Sequence, residues 1–335
     1  MVRVWFNHWF STAHQIIGLM KRDAADEIYV IGSNLVMNSV IKNACDEWYA
    51  DSELKGDSYV SFCMEFCKVH DIDVFAPRRE MVEISRQKER FERLGVKVLA
   101  DSYDKISFLG DKAKTYEFFK GNKDINVPDY FVVNNSAEFE QAYESLHKSG
   151  SGVCCKYVQD EGGMSFRRIV DEIDRFESLG YYQGAKIAYH ELAEILRSQE
   201  SFKDMLVMPY LSGDEISVDC LATGQGLIAV MRRKGWTRDE RVFFDEGIYE
   251  MCRAVVYGIG LECPCNIQFK LFENETPYLL EINTRMSGGT PMGCLASGIN
   301  LPNIALNKLL GREVGWTPFK GEKTVSYIEV PQIIN

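Results

Sequence analysis

The hydrophobic positions change period along the chain, and each change marks an element. Val2–Phe6 is an almost unbroken apolar run and predicts a first strand; Ser11–Arg22 takes up helical spacing, with Ser11 or Thr12 as its cap. Glu27–Gly32 is a short apolar run closed by glycine, which predicts a buried strand. Ser58–His70 reads as a helix, Ile72–Phe75 as a strand, Arg79–Leu94 as a helix and Val96–Leu99 as a strand. Strands that alternate with helices in this way predict a parallel sheet covered by helices, a Rossmann-like first domain over residues 1–108. No G-x-G-x-x-G follows the first strand, so no dinucleotide site is expected there. Asn7, His8 and Ser33-Asn34 fall at the carboxyl ends of strands, where such sheets bind ligands, and read equally well as loop residues.

A boundary is expected near Asp104–Gly110, with a second domain over 109–335 made of a small lobe (about 120–208) and a large lobe (about 209–335). Asp111–Lys120 predicts a helix capped by Asp111, Phe131–Val133 a strand, and Ser136–His147 a helix capped by Ser136. Val153–Val158 is a strand with Lys156 in its middle, followed by the loop Gln159–Ser165. Helices are expected over Asp171–Ser178 and Lys186–Gln199, and Met205–Leu211 is an apolar strand. From Asp214 the chain becomes strand-rich: Glu215–Leu221, Gly226–Arg233, the helix Glu246–Tyr257, and then Asn266–Phe272 and Pro277–Ile282, which could pair as a hairpin around the turn Glu273–Thr276.

Composition narrows the class. The chain has 335 residues, 46% hydrophobic and 26% charged, as in a globular protein of two or three domains. A net charge of −11 argues against a general nucleic-acid or anionic-membrane binder. No apolar run approaches the roughly 18 residues of a membrane span, and the amino terminus has no signal-peptide pattern, so a cytoplasmic protein is expected. The ten cysteines have no zinc-type spacing and read as reduced, buried thiols, while the five histidines are scattered. A homodimer stays open.

The candidate chemistry lies late in the chain. Glu281 and Asn283 are two apart in an extended segment and so share one face, and the hairpin pairing would place Gln268 beside them. Three oxygen donors of this kind suit a hard cation such as Mg²⁺ (or Mn²⁺); Arg285 would then meet the anion bound by the metal. The same residues read separately are a solvated strand end and turn chemistry. Lys156 either reaches solvent or faces an anion, and Gly162-Gly163-Met164-Ser165 is a plain turn or a loop whose N–H groups wrap a phosphate, though it is no Walker A sequence. Glu215, Ser217 and Asp219 share a strand face, on which Glu215 could take two ribose hydroxyls or simply face water. Arg232-Arg233-Lys234 is a solvated strand end or a grip on a triphosphate or acidic substrate.

In this order, Asp111-Lys112, Lys156, the glycine loop, the apolar strand, Gly213-x-Glu215-x-x-x-Asp219, the basic pair, Gln268 and Glu281-Ile282-Asn283-Thr284-Arg285 resemble the ATP-grasp superfamily, in its carbamoyl-phosphate-synthase-like branch. The resemblance runs from about Asp111 to the end of the chain, and the preceding region resembles the domain that accompanies it. It implies an α/β and α+β protein: a Rossmann-like first domain, then a two-lobed fold that clasps ATP. Lys112 and Lys156 would contact phosphates, Gly162, Gly163 and Ser165 would close over them, and Met208, Tyr210 and Leu211 would form the adenine hinge. Glu215 would take the ribose, Arg232 a phosphate or acidic substrate, and Gln268, Glu281 and Asn283 the metal next to the nucleotide. Lys156 and Arg285 would be catalytic, Arg285 stabilising the transferred phosphoryl group. The chain departs from the family at the hinge, where Pro209 has no N–H to offer adenine. The implied activity is an ADP-forming carboxylate–amine ligase. A carboxylate or carbamate kinase and a non-catalytic ATP-binding module are the alternatives.

Overall fold

The structure is a computed structural model. It describes all residues except Asp23, Ser149, Ser151, Glu161, Arg175, 177–183, Trp236, Asn274 and Asn335. The chain divides into two compact units: residues 1–107, 215–268 and 282–335 form the first, and 108–214 with 269–281 the second.

The first unit contains a five-stranded sheet of β1 (Val2–Asn7), β2 (Ile28–Asn34), β3 (Glu47–Ala50), β4 (Val74–Ala76) and β5 (Lys97–Val98), in the order β3-β2-β1-β4-β5. All its pairings are parallel. The alternation of a strand divides β1 between two cores. Val2, Val4 and Phe6 pack with the helix Ala13–Lys21 and with Leu301 and Ile304, while Trp5 stacks on Phe75 at 4.2 Å and Phe66 at 4.3 Å on the other face. Burial on both faces explains why β1 reads as a continuous apolar run.

Strand β3 was not expected, because Glu47-Trp48-Tyr49-Ala50 is a half-exposed edge without a periodic apolar pattern. The single helix expected over Arg79–Leu94 is two, Met81–Arg86 and Lys88–Glu92, broken at Gln87, whose φ of −110° and ψ of 17° are not helical. Thr12 precedes the first helix but makes no capping side-chain bond. Asn7 and Ser33 close strand ends internally: the Asn7 amide donates to the Tyr59 hydroxyl at 2.9 Å and accepts from the Arg78 N–H at 2.6 Å, and the Trp5 indole donates to Ser33 at 3.0 Å.

A six-stranded sheet follows: β11 (Glu215–Thr223), β12 (Gly226–Lys234), β13 (Asp239–Phe243), β14 (Cys265–Phe272), β15 (Thr276–Asn283) and β16 (Lys323–Ser326), in the order β15-β14-β11-β12-β13-β16. The expected hairpin partners β14 and β15 are neighbours, though Asn274 in the turn lies outside the described residues. Asp245 caps the helix Glu246–Ile259 by accepting from the Ile248 N–H at 2.9 Å.

The second unit is built on β6 (Phe131–Val133), β7 (Val153–Tyr157), β8 (Arg167–Val170), β9 (Lys186–Ala188) and β10 (Met205–Pro209), ordered β6-β10-β7-β8-β9. Val153, Cys155 and Val207 face the helices Ser136–Lys148 and Tyr189–Arg197, while Cys154, Leu206 and Met208 share the opposite face with Tyr116. Lys156 follows the parity of Cys154. The cap of Ser136–Lys148 is Asn135, whose side-chain oxygen Oδ1 accepts from the Glu138 N–H at 3.0 Å, in place of the expected Ser136. The expected helix at Lys186 begins as strand β9. Of the helix expected over Asp171–Ser178, 171–174 are not helical and most of the rest lies outside the described residues.

All ten cysteines are free. Among the described residues no helix is long and apolar enough to cross a membrane.

Candidate functional site

In the second unit two lysines meet one carboxylate. Asp111 caps the helix Lys112–Phe119 through the Lys114 N–H at 3.0 Å, which fixes Lys112 as the first helical residue. Lys112 is buried, donates to the Asp160 carbonyl at 2.7 Å and stands 3.8 Å from the Glu281 carboxylate. Lys156 is buried too; its ammonium lies 3.5 Å from the Leu280 carbonyl and 5.9 Å from the Tyr116 ring centre. The Tyr116 hydroxyl donates to that same carbonyl at 2.7 Å. Burial, and then the Lys112 charge, lower the Lys156 pKa to about 8, against the pull of Glu281. Two cations held out of water beside Glu281, with the Asp160 carboxylate also acting on Lys156, form a place that can receive an anion.

The loop between β7 and β8 is shaped for reversal. Gly162 and Gly163 have φ of 66° and 65°, the left-handed region that side chains resist. Its two ends are tied by Asp160, whose carboxylate accepts from the Ser165 N–H at 2.8 Å and hydroxyl at 2.5 Å; the Tyr157 N–H donates to that hydroxyl oxygen at 2.9 Å. Ser165, expected to reach phosphate, here holds the loop. Glu161 lies outside the described residues.

At the expected hinge, Met208 and Leu211 are buried in one apolar cluster with Tyr116, Cys154, Val158 and Leu206. The Tyr210 backbone N–H donates to the Gly152 carbonyl at 2.6 Å, so that N–H is engaged within the sheet. The Tyr210 ring has the Arg168 guanidinium 4.3 Å from its centre.

In the first unit, Glu215 opens β11 and forms an ion pair with Lys234 at 2.5 Å. Arg232 is neither a solvated strand end nor an open grip on phosphate. It is 1% exposed, and its guanidinium donates to Asp219 at 3.2 Å, to Ser217 at 3.1 Å, to Ser287 at 2.9 Å and to Glu240. A Cβ on Gly289 would stand 1.8 Å from that guanidinium, so only glycine fits there. Burial works against the Arg232 charge, and Asp219 and Glu240 more than compensate, raising its pKa. Arg285 lies 5.8 Å from the centre of the Phe10 ring.

Gln268 on β14 donates its amide to the Asn266 carbonyl oxygen at 3.2 Å, while Glu281 and Asn283 sit two apart on β15. Among the described residues no three His, Cys, Asp or Glu side chains gather as a metal site. The candidate set is one carboxylate and two amides, all oxygen donors, and the chemistry fits Mg²⁺. Sequence reasoning missed Tyr116, Glu240, Asn266 and Ser287. Only Asn266 carried a signal, since it lies two residues before Gln268 and shares its strand face.

Residues 201–331 match the family described as ATP-grasp in the biosynthetic pathway with Ter operon. Among solved structures, the biotin carboxylase domain of the Hydrogenobacter thermophilus 2-oxoglutarate carboxylase, a domain dimer in complex with MgADP, ADP and bicarbonate, is 16% identical, with a TM-score of 0.70 over 96% of this chain and 73% of its own. Biotin carboxylase from Campylobacter jejuni is 15% identical, with a TM-score of 0.71 over 97% and 75%. N5-carboxyaminoimidazole synthetase from Staphylococcus aureus, complexed with ADP, is 12% identical, with a TM-score of 0.67 over 94% and 78%. The chain has the ATP-grasp fold, with a Rossmann-like first sheet.

Proposed function

We propose that the protein is an ATP-dependent ligase that activates a carboxylate as an acyl phosphate for attack by an amine. A substrate carboxylate oxygen attacks the γ-phosphorus and ADP leaves. The amine nitrogen then attacks the acyl carbon, phosphate departs, and loss of a proton leaves the amide. The observation that carries this reading is the buried pair Lys112 and Lys156 beside Glu281, on a fold whose neighbours include ADP complexes.

The residues have separable tasks. Lys112 and Lys156 hold the polyphosphate, which suits a reaction that needs positioning and charge neutralisation more than covalent help. The Gly162-Gly163 loop excludes water from the acyl phosphate. With Pro209 and Tyr210 offering no N–H, adenine is met by the backbone of Met208 and Leu211 and the apolar cluster around them. Glu215 takes the ribose after release from Lys234. Gln268, Glu281 and Asn283 would hold Mg²⁺, which when bound supplies positive charge to the phosphates. Arg285 stabilises the transferred phosphoryl group.

Phosphate release with ATP, Mg²⁺ and pools of acids and amines tests the proposal. The Hydrogenobacter neighbour is described with bicarbonate, so bicarbonate belongs among the acids tried. Amine-dependent release is expected. Amine-independent release would point to a kinase, and ATP binding without release to a binding module. Glu281→Ala is expected to abolish turnover while circular dichroism remains that of the folded protein; unchanged turnover would remove Glu281 from the metal set.

A further inference from the structure

A side-chain amide has two ends, and only its oxygen can hold a cation. Gln268 can serve a metal only if something decides which end points where. We propose that Asp219, acting through Asn266, makes that decision, so that both are positioning residues for the metal ligand. The inference rests on Gln268 being a ligand, as proposed above.

Asp219, a carboxylate, accepts hydrogen bonds and cannot donate one. Asp219 is 2% exposed and Asn266 0%, so no solvent is at hand to substitute for either partner. Asp219 Oδ1 lies 2.9 Å from the Asn266 amide nitrogen, and a carboxylate can only accept, so the NH₂ end of Asn266 must face Asp219. Ser217 also touches Asn266, at 3.0 Å from the nitrogen and 3.3 Å from the oxygen, but a hydroxyl both donates and accepts and cannot choose. With its nitrogen committed, Asn266 turns its oxygen to Gln268 at 3.2 Å. Gln268 must answer with its own NH₂ end, which leaves its carbonyl oxygen for a cation. A flipped Gln268 would set two amide oxygens against each other and present N–H groups to the metal.

Asp219 is itself held by the fold. Its Oδ1 also accepts from the hydroxyls of Ser287 and Thr290, both at 2.9 Å, and its Oδ2 accepts from Arg232. The carboxylate that orients Gln268 therefore also ties down the turn that follows Arg285. Groups that orient metal ligands are worth roughly 10–100-fold in metal affinity.

The test measures Mn²⁺ binding to the ADP complex by electron paramagnetic resonance, in a double-mutant cycle. Asn266→Leu, close in volume, is expected to weaken Mn²⁺ at least about tenfold while metal-free ADP binding stays the same. In a Gln268→Glu background both ends of residue 268 are oxygen, and Asn266→Leu should cost no further affinity. A purely structural role for Asn266 would weaken Mn²⁺ equally in both backgrounds, and that result overturns the proposal; so does unchanged binding in the single variant. Wild-type protein that binds ADP but no Mn²⁺ would instead remove the metal set. Should Asn266→Leu fail to fold, the wild-type Gln268 side-chain amide, assigned by ¹⁵N resonance against Gln268→Glu, decides the matter. Slow hydrogen exchange supports the relay, and exchange as fast as an exposed glutamine overturns it.

Discussion

A buried ammonium is held against its preference for water, and Lys156 shows what that does to stability. Its pKa in the folded chain, about 8, lies below the ordinary 10.5, so between those values the unfolded chain binds the extra proton. Stability from this group therefore rises as pH increases from about 8 to 10.5, and the charged lysine weakens the fold below that window. Lys156→Met should raise the stability of the ligand-free protein at pH 7, by up to about 3 kcal/mol, and weaken ATP binding. Urea unfolding at pH 7 and calorimetric titration with ATP measure the two effects. A variant that loses stability and keeps its ATP affinity would show that Lys156 serves the core. In the wild type, ATP affinity should fall as pH rises through about 8, because phosphate favours the protonated lysine.

The loop from Asp160 to Ser165 is the element on which closure depends. Two successive glycines near φ +65° let the chain reverse, and one carboxylate ties its ends. Gly162→Ala and Gly163→Ala each place a Cβ in the left-handed region at roughly 1–2 kcal/mol. Each is expected to lower kcat/KM for ATP and to lower the melting temperature by the few degrees that this strain alone costs, since nothing stands within 4 Å of the added Cβ. Equal kcat/KM in both variants would remove the loop from the reaction. Elements such as this one were legible because their residues are neighbours in sequence: a lysine among apolar strand residues, paired glycines, Asp111 at a helix start. The buried cluster of Asp219, Arg232, Asn266 and Ser287 was not legible, since it joins segments up to 68 residues apart and leaves no local pattern. The short strand β9 was missed for a different reason. Its three residues run straight into the helix Tyr189–Arg197, so the helical period masks them.

At the scale of the molecule, sequence order and compactness part company. The second unit is not one continuous stretch: it closes only when residues 269–281 return from the six-stranded sheet. That return brings three kinds of support. The Leu279 N–H donates to the Asn126 carbonyl at 2.8 Å, and the Gly213 N–H and Leu271 carbonyl pair at 2.9 Å. The Tyr116 hydroxyl reaches the Leu280 carbonyl, while Phe272 and Tyr278 cover the apolar cluster that holds Met208 and Leu211. A fragment of residues 108–214 would leave that cluster open and the Tyr116 hydroxyl, in a fully buried residue, without its acceptor, a loss of about 1–3 kcal/mol for the hydroxyl alone. It would also lack Glu281, the counter-charge to both lysines. Such a fragment is expected to melt broadly and to bind ATP weakly, whereas the same fragment with 269–281 joined through a flexible linker should recover a cooperative transition. Thermal unfolding followed by circular dichroism separates the two. A sharp transition in the bare fragment would show that 108–214 carries its own core, and that the returning strands serve the nucleotide site alone.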